Sequence, residues 1–244
     1  MHRQGTCAIG VMAKAPRPGQ AKTRLCPPLR PAQAASLSAA FLRDITENIA
    51  LAARTVPIEG CIAYAPAGDE DWFAGHLAEG TRLVLADGSP PMPPDVQGFG
   101  RCLLHATQAL FATGCAAVCL VNSDSPTLPT ACLIEAAHAV LAPGDRVALG
   151  PADDGGYYLL GMKRPHPVLF TGIAWSTGSV AAATQARAAA LGLDVVTLPT
   201  WYDVDDAASL DRLIAGADDG YAAPATNAWI ERNGLRGRMS FAAQ

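Results

Sequence analysis

The chain of 244 residues is marked first by what it is short of. It has no basic block, and its 18 Lys and Arg are outnumbered by 22 Asp and Glu, which argues against a nucleic-acid groove. Charged residues make up only 16% of it and hydrophobic ones 50%, too apolar a mixture for a disordered chain. No apolar run reaches the length of a membrane span. Residues 1–6 lead into no signal-peptide core before Lys14, so a cytoplasmic protein without a membrane partner is expected. The seven Cys contain no CxxC pair, and Cys115 and Cys119 lie in an apolar run, which suits small buried hydrophobes better than a disulfide framework. The five His are scattered without an HExxH, so the usual zinc signature is missing. GxxxxGK[ST] is absent, as are a Ser-His-Asp ordering and a reactive Cys context, which sets aside Walker-type phosphate binding and covalent nucleophilic catalysis.

What is present is an alternation of apolar runs with helical stretches. Strands are expected at residues 7–12, 58–64, 82–86, 116–121, 146–150, 157–162 and 195–198. Helices are expected at 31–54, where Pro31 suits a helix start, and at 69–77, 130–141, 179–191 and 207–214, with a short one near Trp229. Within the first helix Leu37, Phe41, Ile45 and Ile49 are four apart and form a core stripe. Residues 87–100 hold four prolines and three glycines and read as an irregular loop, a cover over a site or a surface excursion. The pattern predicts one α/β domain over residues 1–216, a Rossmann-like mostly parallel sheet with helices on both faces, followed by a tail at 217–244. In such sheets ligands bind outside the carboxyl ends of the strands.

Four polar clusters fall at those ends. Lys14-Ala-Pro-Arg17-Pro-Gly19-Gln-Ala-Lys22-Thr23-Arg24 follows the first strand and supplies cations, a flexible Gly19 and backbone N–H groups, as phosphates require; the plainer reading is a solvated basic turn. Asn122-Ser123-Asp124-Ser125-Pro126 ends the most apolar strand, where a carboxylate suits Mg2+ or Mn2+ or else caps a helix. Asp153-Asp154-Gly155-Gly156-Tyr157-Tyr158 pairs acids with glycines that let backbone approach a ligand, or else makes a tight hairpin turn with tyrosines in the core. In Asp203-Val-Asp205-Asp206 the alternating Asp203 and Asp205 point to one side and suit a cation shared with Asp124, whereas Asp206 reads as a helix N-cap. Trp175-Ser-Thr177-Gly178 either lines an acceptor pocket or caps the next helix.

As a set, from Lys14-Ala-Pro and Lys22-Thr-Arg24-Leu25 through Ser123-Asp124-Ser-Pro126 and Asp154-Gly-Gly-Tyr-Tyr to Trp175-Ser-Thr177 and Asp203-Val-Asp205, the chain resembles a bacterial family labelled glycosyltransferase. Some members of that family are associated with arsenosugar biosynthesis, and it is similar in turn to the 2-phospholactate guanylyltransferases. The resemblance spans about residues 7–215 and implies a glycosyltransferase-A fold, with a nucleotide over the first loop and a divalent metal near Asp124. Two departures stand out. The family's Leu-Gly-x-Arg reads Phe99-Gly100-Arg101-Cys102 here, and the acids that often follow its Asp-Val-Asp are missing beyond Asp206.

The expected partners are a nucleotide or nucleotide-sugar and a small acceptor. Two transfer chemistries fit. In glycosyl transfer Mg2+ or Mn2+ on Asp124, Asp203 and Asp205 holds the diphosphate of a nucleotide-sugar while Asp153 or Asp154 activates an acceptor hydroxyl. In nucleotidyl transfer Lys22 and Arg24, with Lys14 or Arg17, stabilise the departing pyrophosphate of a nucleoside triphosphate. Both draw on Lys14, Gly19, Lys22, Thr23, Arg24, Gly155 and Gly156 for nucleotide binding and on Asp124, Lys22 and Asp154 for catalysis. A non-catalytic nucleotide-binding protein is the third reading.

Overall fold

The β-branched and aliphatic runs form seven strands, and the Ala- and Leu-rich stretches between them form six helices, in a computed structural model that describes residues 5–87, 92–216 and 219–237. The strands are β1 (Cys7–Ala13), β2 (Ile58–Tyr64), β3 (Arg82–Leu85), β4 (Ala117–Asn122), β5 (Arg146–Pro151), β6 (Tyr157–Met162) and β7 (Asp194–Thr197). The helices are α1 (Pro31–Ala52), α2 (Phe99–Phe111), α3 (Thr130–Leu141), α4 (Val180–Ala190), α5 (Ala207–Ala215) and α6 (Pro224–Arg232).

The strands form one sheet in the order β3-β2-β1-β4-β6-β5-β7. β1, β2, β3 and β4 run parallel, β6 is antiparallel to both its neighbours, and β7 is parallel to β5. Only β6 runs against the other six, which follows from the tight connection between β5 and β6: an antiparallel pair needs only a turn, a parallel one a crossover.

Both faces are covered, as the alternation predicts. One apolar cluster packs Ile9, Val11 and Val121 beneath α1 and α3, and the other packs Ala8, Val118 and Leu149 beneath α2 and α4. The four-residue stripe of α1 is buried but serves two cores. Ile45 and Ile49 face the sheet, while Leu37 and Phe41 join a third cluster with Leu25, Val204, Leu210 and Trp229. That third cluster ties the loop after β1 to α5 and α6. Asp44 strengthens it by accepting hydrogen bonds from Ala225 N (2.9 Å) and Thr226 N (2.7 Å), capping the start of α6 from across the fold.

Element boundaries agree with expectation to within a few residues, with two differences. α2 was not anticipated, and it begins at Phe99, so the last two residues of the stretch expected as irregular at 87–100 open its first turn. The stretch expected as a helix at 69–77 is only a 3-10 turn, Glu70–Phe73. Within the irregular loop at 87–100, residues 88–91 lie outside the described residues, as do 217–218 and 238–244 of the tail. No helix among the described residues is long and apolar enough to cross a membrane.

Candidate functional site

The carboxyl ends of β1, β2 and β4 open into a cavity of about 510 Å³. The loop after β1 supplies Lys14, Gln20, Lys22, Thr23 and Arg24 to it, the loop after β4 supplies Ser123 and Asp124, and the segment after β7 supplies Asp205. Sequence reasoning placed these residues in three separate clusters; the fold brings them to one wall.

The cationic loop owes its shape to local bonds. Gln20 N and Ala21 N donate to Arg17 O (both 3.1 Å), closing a turn, and Leu25, fully buried, anchors the 3-10 turn Thr23–Leu25 in the third core. Arg17 itself leaves the cavity: its guanidinium pairs with Asp69 and lies over the Trp72 ring, 5.1 Å from its centroid. It is therefore a brace for the loop, and the alternative that it meets phosphate does not fit its placement. Gly19 adopts φ 75°, a left-handed conformation suited to glycine, in open space beside the cavity wall. Lys14 and Arg24 are exposed in the cavity and make no ion pair among the described residues.

Lys22 is different. Its side chain is only 7% exposed, and its ammonium donates to Val204 O and meets Asp124 Oδ1 and Asp205 Oδ1, each at 2.8 Å. Burial pulls its pKa down, but Asp124 and Asp205 outweigh that together and the net shift is upward, so the ammonium stays charged. The two acidic loops that hold it are locked to each other. Val204 N donates to Asp124 O (2.9 Å), and Ser125 Oγ donates to Tyr202 O (2.7 Å). Ser123 Oγ further fixes Asp124 by donating to its Oδ1 (2.8 Å).

Asp203 stands in the same field without lining the cavity. Its burial, then the charges of Asp205, Asp154 and Asp124, raise its pKa to about 6. The hard oxygen donors and this surplus of negative charge fit a divalent cation. The expected three-carboxylate cradle is not assembled as such, however. No three His, Cys, Asp or Glu side chains among the described residues stand together closely enough to hold a metal, and the Lys22 ammonium contacts both Asp124 and Asp205.

The turn after β5 is placed further out. Asp154 is exposed, and its Oδ1 accepts from Gly156 N (2.8 Å), the ordinary bond of an Asp-Gly-type turn. Asp153 pairs with Arg212 at 2.8 Å. Gly155 and Gly156 do not line the cavity. Gly155 is required because a Cβ there would overlap the Gly178 carbonyl, so its close backbone approach is to the chain itself rather than to a ligand. Tyr158 is core, donating to Pro199 O at 2.9 Å. Asp206 caps α5, accepting from Ser209 N at 2.8 Å, as its position suggested. Residues 175–178 form the turn before α4, with Thr177 Oγ1 donating to Ala174 O (2.7 Å).

Sequence reasoning missed the other end of the cavity. Tyr64 at the end of β2, Ala86 after β3, and Phe99 and Cys102 on α2 complete the wall. Phe99 is 51% exposed and stacks edge-on against Trp175, 5.8 Å between centroids. The Tyr64 hydroxyl donates to Glu70; burial and that carboxylate hold its pKa up at about 12, so it stays a neutral donor. The strand-end rule would have flagged Tyr64, whereas Phe99 was hidden with the unrecognised α2.

This sheet, with its one reversed strand and its ligand edge split between a cationic loop and acidic ones, is the glycosyltransferase-A-type fold of nucleotide-diphospho-sugar transferases. A protein from Desulfovibrio desulfuricans G20, provisionally named a nucleotide-diphospho-sugar transferase, shares the fold at a TM-score of 0.77 and 28% identity, over 94% of this chain and 95% of that one. Two more distant structures share it at lower similarity. One is CMP:2-keto-3-deoxy-manno-octonic acid synthetase in complex with CTP (TM-score 0.51, 11% identity, 85% of this chain and 96% of that one). The other is the Mycobacterium tuberculosis glucosyl-3-phosphoglycerate synthase with Mn2+, UDP and glucosyl-3-phosphoglycerate (TM-score 0.50, 13% identity, 85% and 74%). The chain belongs to the family described as "Uncharacterized protein conserved in bacteria" (DUF2064), whose profile matches residues 48–177, just over half of its length. Among curated protein sequences none matches it.

Proposed function

We propose that this protein is a metal-dependent transferase that binds a nucleotide-diphosphate sugar in the cavity above β1, β2 and β4 and passes the sugar to a small acceptor. The observation that carries this reading is the convergence of Lys14, Lys22, Thr23 and Arg24 with Asp124 and Asp205 on one cavity wall. Cations and a hydroxyl beside carboxylates are what a diphosphate bridged to Mg2+ or Mn2+ requires. The likeness to the Desulfovibrio protein over nearly the whole chain supports it.

Asp124 and Asp205 would hold the metal, with Asp203 adding to the field that retains it. A metal held there would supply charge stabilisation to the departing nucleoside diphosphate. Lys14 and Arg24, without carboxylate partners among the described residues, would stabilise the same developing charge, and Thr23 would donate to it. The apolar end formed by Tyr64, Ala86 and Phe99 receives the base. Asp154, exposed and outside the cavity, would take the proton of an acceptor hydroxyl approaching from the β5–β6 side.

One observation favours nucleotidyl transfer as a second reading. Lys14, Lys22 and Arg24 make three cations on one wall, a number suited to a triphosphate, and that chemistry has no need of Asp154 inside the cavity. A thermal-shift panel with Mn2+ separates the two. A ligand at 100 times its Kd adds about 2.7 kcal/mol to the stability of the folded state. Stabilisation by a nucleotide-sugar alone supports glycosyl transfer, and stabilisation by a nucleoside triphosphate alone supports nucleotidyl transfer. No shift with either class refutes both.

A further inference from the structure

Lys22 carries more structural commitment than a phosphate-binding lysine needs. Its backbone is left-handed, φ 50° and ψ 41°, a conformation that a side chain other than Gly or Asn adopts only when its surroundings hold it there. The ammonium has three hydrogens and three acceptors at 2.8 Å: Val204 O, Asp124 Oδ1 and Asp205 Oδ1. It is nearly enclosed, with the Phe41 ring centroid 5.8 Å away. Lys14 and Arg24, on the same wall, are exposed and have no carboxylate partners among the described residues. The loop therefore holds two cations ready for an anion and one already engaged.

Its place matters for the carboxylates as well. A divalent ion bridging Asp124 and Asp205 would coordinate the oxygens that the ammonium now contacts, and two cations cannot share that position without strong repulsion. A nucleotide's phosphate oxygens are acceptors of equal quality for an ammonium and would arrive beside it from the cavity that Lys14 and Arg24 line.

We propose that Lys22 is a resident cation that keeps Asp124 and Asp205 closed to divalent metal until the phosphates of a nucleotide take the ammonium, so that metal binds with the nucleotide and not before it. The inference rests on the reading that nucleotide phosphates enter this cavity. It adds an order of assembly and a second role for Lys22, as the residue that sets metal affinity in the free protein. By linkage, nucleotide and metal then raise each other's affinity by the same factor.

The test is Mn2+ binding to the purified protein without nucleotide, read from the electron paramagnetic resonance signal of free Mn2+. Wild type is compared with Lys22→Met, which keeps the side-chain bulk without the charge, and with Lys22→Arg, which keeps the charge. Thermal melts establish that each variant is folded. Lys22→Met should bind Mn2+ at least ten times more tightly than wild type, Lys22→Arg should resemble wild type, and adding Asp124→Asn to Lys22→Met should remove the gain. Wild type binding Mn2+ as tightly as Lys22→Met, or no gain in a folded Lys22→Met, overturns the proposal. If nucleotides still stabilise wild type in either case, the transferase reading stands and only the role of Lys22 falls. If no nucleotide stabilises wild type or Lys22→Met, both fall together.

Discussion

The two halves of the sheet present opposite charges to the same edge. The parallel half, β3-β2-β1 with β4, ends in the loop of Lys14, Lys22 and Arg24 and in an apolar recess. The other half, β6-β5-β7, ends in Asp153, Asp154, Asp203 and Asp205, where burial, then the charges of Asp205, Asp154 and Asp124, raise the Asp203 pKa to about 6. Asp124 stands at the seam, in the loop after β4, and Lys22 crosses to it. Charge separated in this way across a sheet suits a ligand whose anionic part lies on one half and whose cation lies on the seam.

The strongest way to break that comparison is Asp124→Ala. If the seam holds the metal, metal-dependent transfer should fall by about 10²–10³ or more while the circular dichroism spectrum stays native. Retained activity would move the metal elsewhere. Next in size is Asp44→Ala, remote from both halves, which should separate stability from chemistry. It leaves the amides of Ala225 and Thr226 unpartnered and should cost about 1–3 kcal/mol in urea unfolding without changing ligand affinity. Burial, ahead of its hydrogen bonds, holds the Asp44 carboxyl above its ordinary pKa. The folded state therefore binds this proton more readily than the unfolded chain, and the contribution is full below the ordinary carboxylate range and lost as pH rises through the raised value. The stability of Asp44→Asn should lack that slope.

Smaller effects sharpen the contrast. Arg24→Ala and Lys14→Ala should each weaken nucleotide binding by roughly tenfold, read by calorimetry, since each removes a charge-assisted contact. Asp153→Ala, on the acidic half and engaged with Arg212, should leave nucleotide affinity within about twofold, as expected for an exposed pair. An equal loss from Asp153→Ala and Arg24→Ala would erase the distinction between the halves. Phe99→Ala should give a few-fold loss of nucleotide affinity confined to the base end, between the effects of Arg24→Ala and Asp153→Ala.

Much of this was legible in the residues. Apolar runs located all seven strands: the central β1, β4, β6 and β5 are buried on both faces and read as continuously apolar, while the edge strands β3 and β7 are short and largely exposed or half-buried. The strand-end rule placed the loops of Lys22, Asp124 and Asp205 on one edge. What local sequence does not carry is which groups satisfy each other. Lys22 and Asp205 are 183 residues apart, and nothing local distinguishes Lys22, engaged with carboxylates, from Lys14, which has no carboxylate partner among the described residues. The same limit explains Gly155, whose neighbour is Gly178 rather than a phosphate, and Arg17, drawn away by Asp69. α2 was lost for a different reason: the prolines and glycines before it suggested continued loop, although its own Leu103, Leu104 and Leu110 are buried at helical spacing.

The reversal of β6 has a consequence for how such a protein diversifies. Because β5 and β6 are antiparallel neighbours, the turn that carries Asp153 and Asp154 joins them directly at the ligand edge, with no crossover helix to be moved. On the proposed reading, residues added to or removed from that turn would change what meets an acceptor while the threading of the sheet and the cationic half remain as they are. Under that reading substrate range would drift at one hairpin within an unchanged frame, and grafting that turn between relatives would be the shortest route to exchanging it.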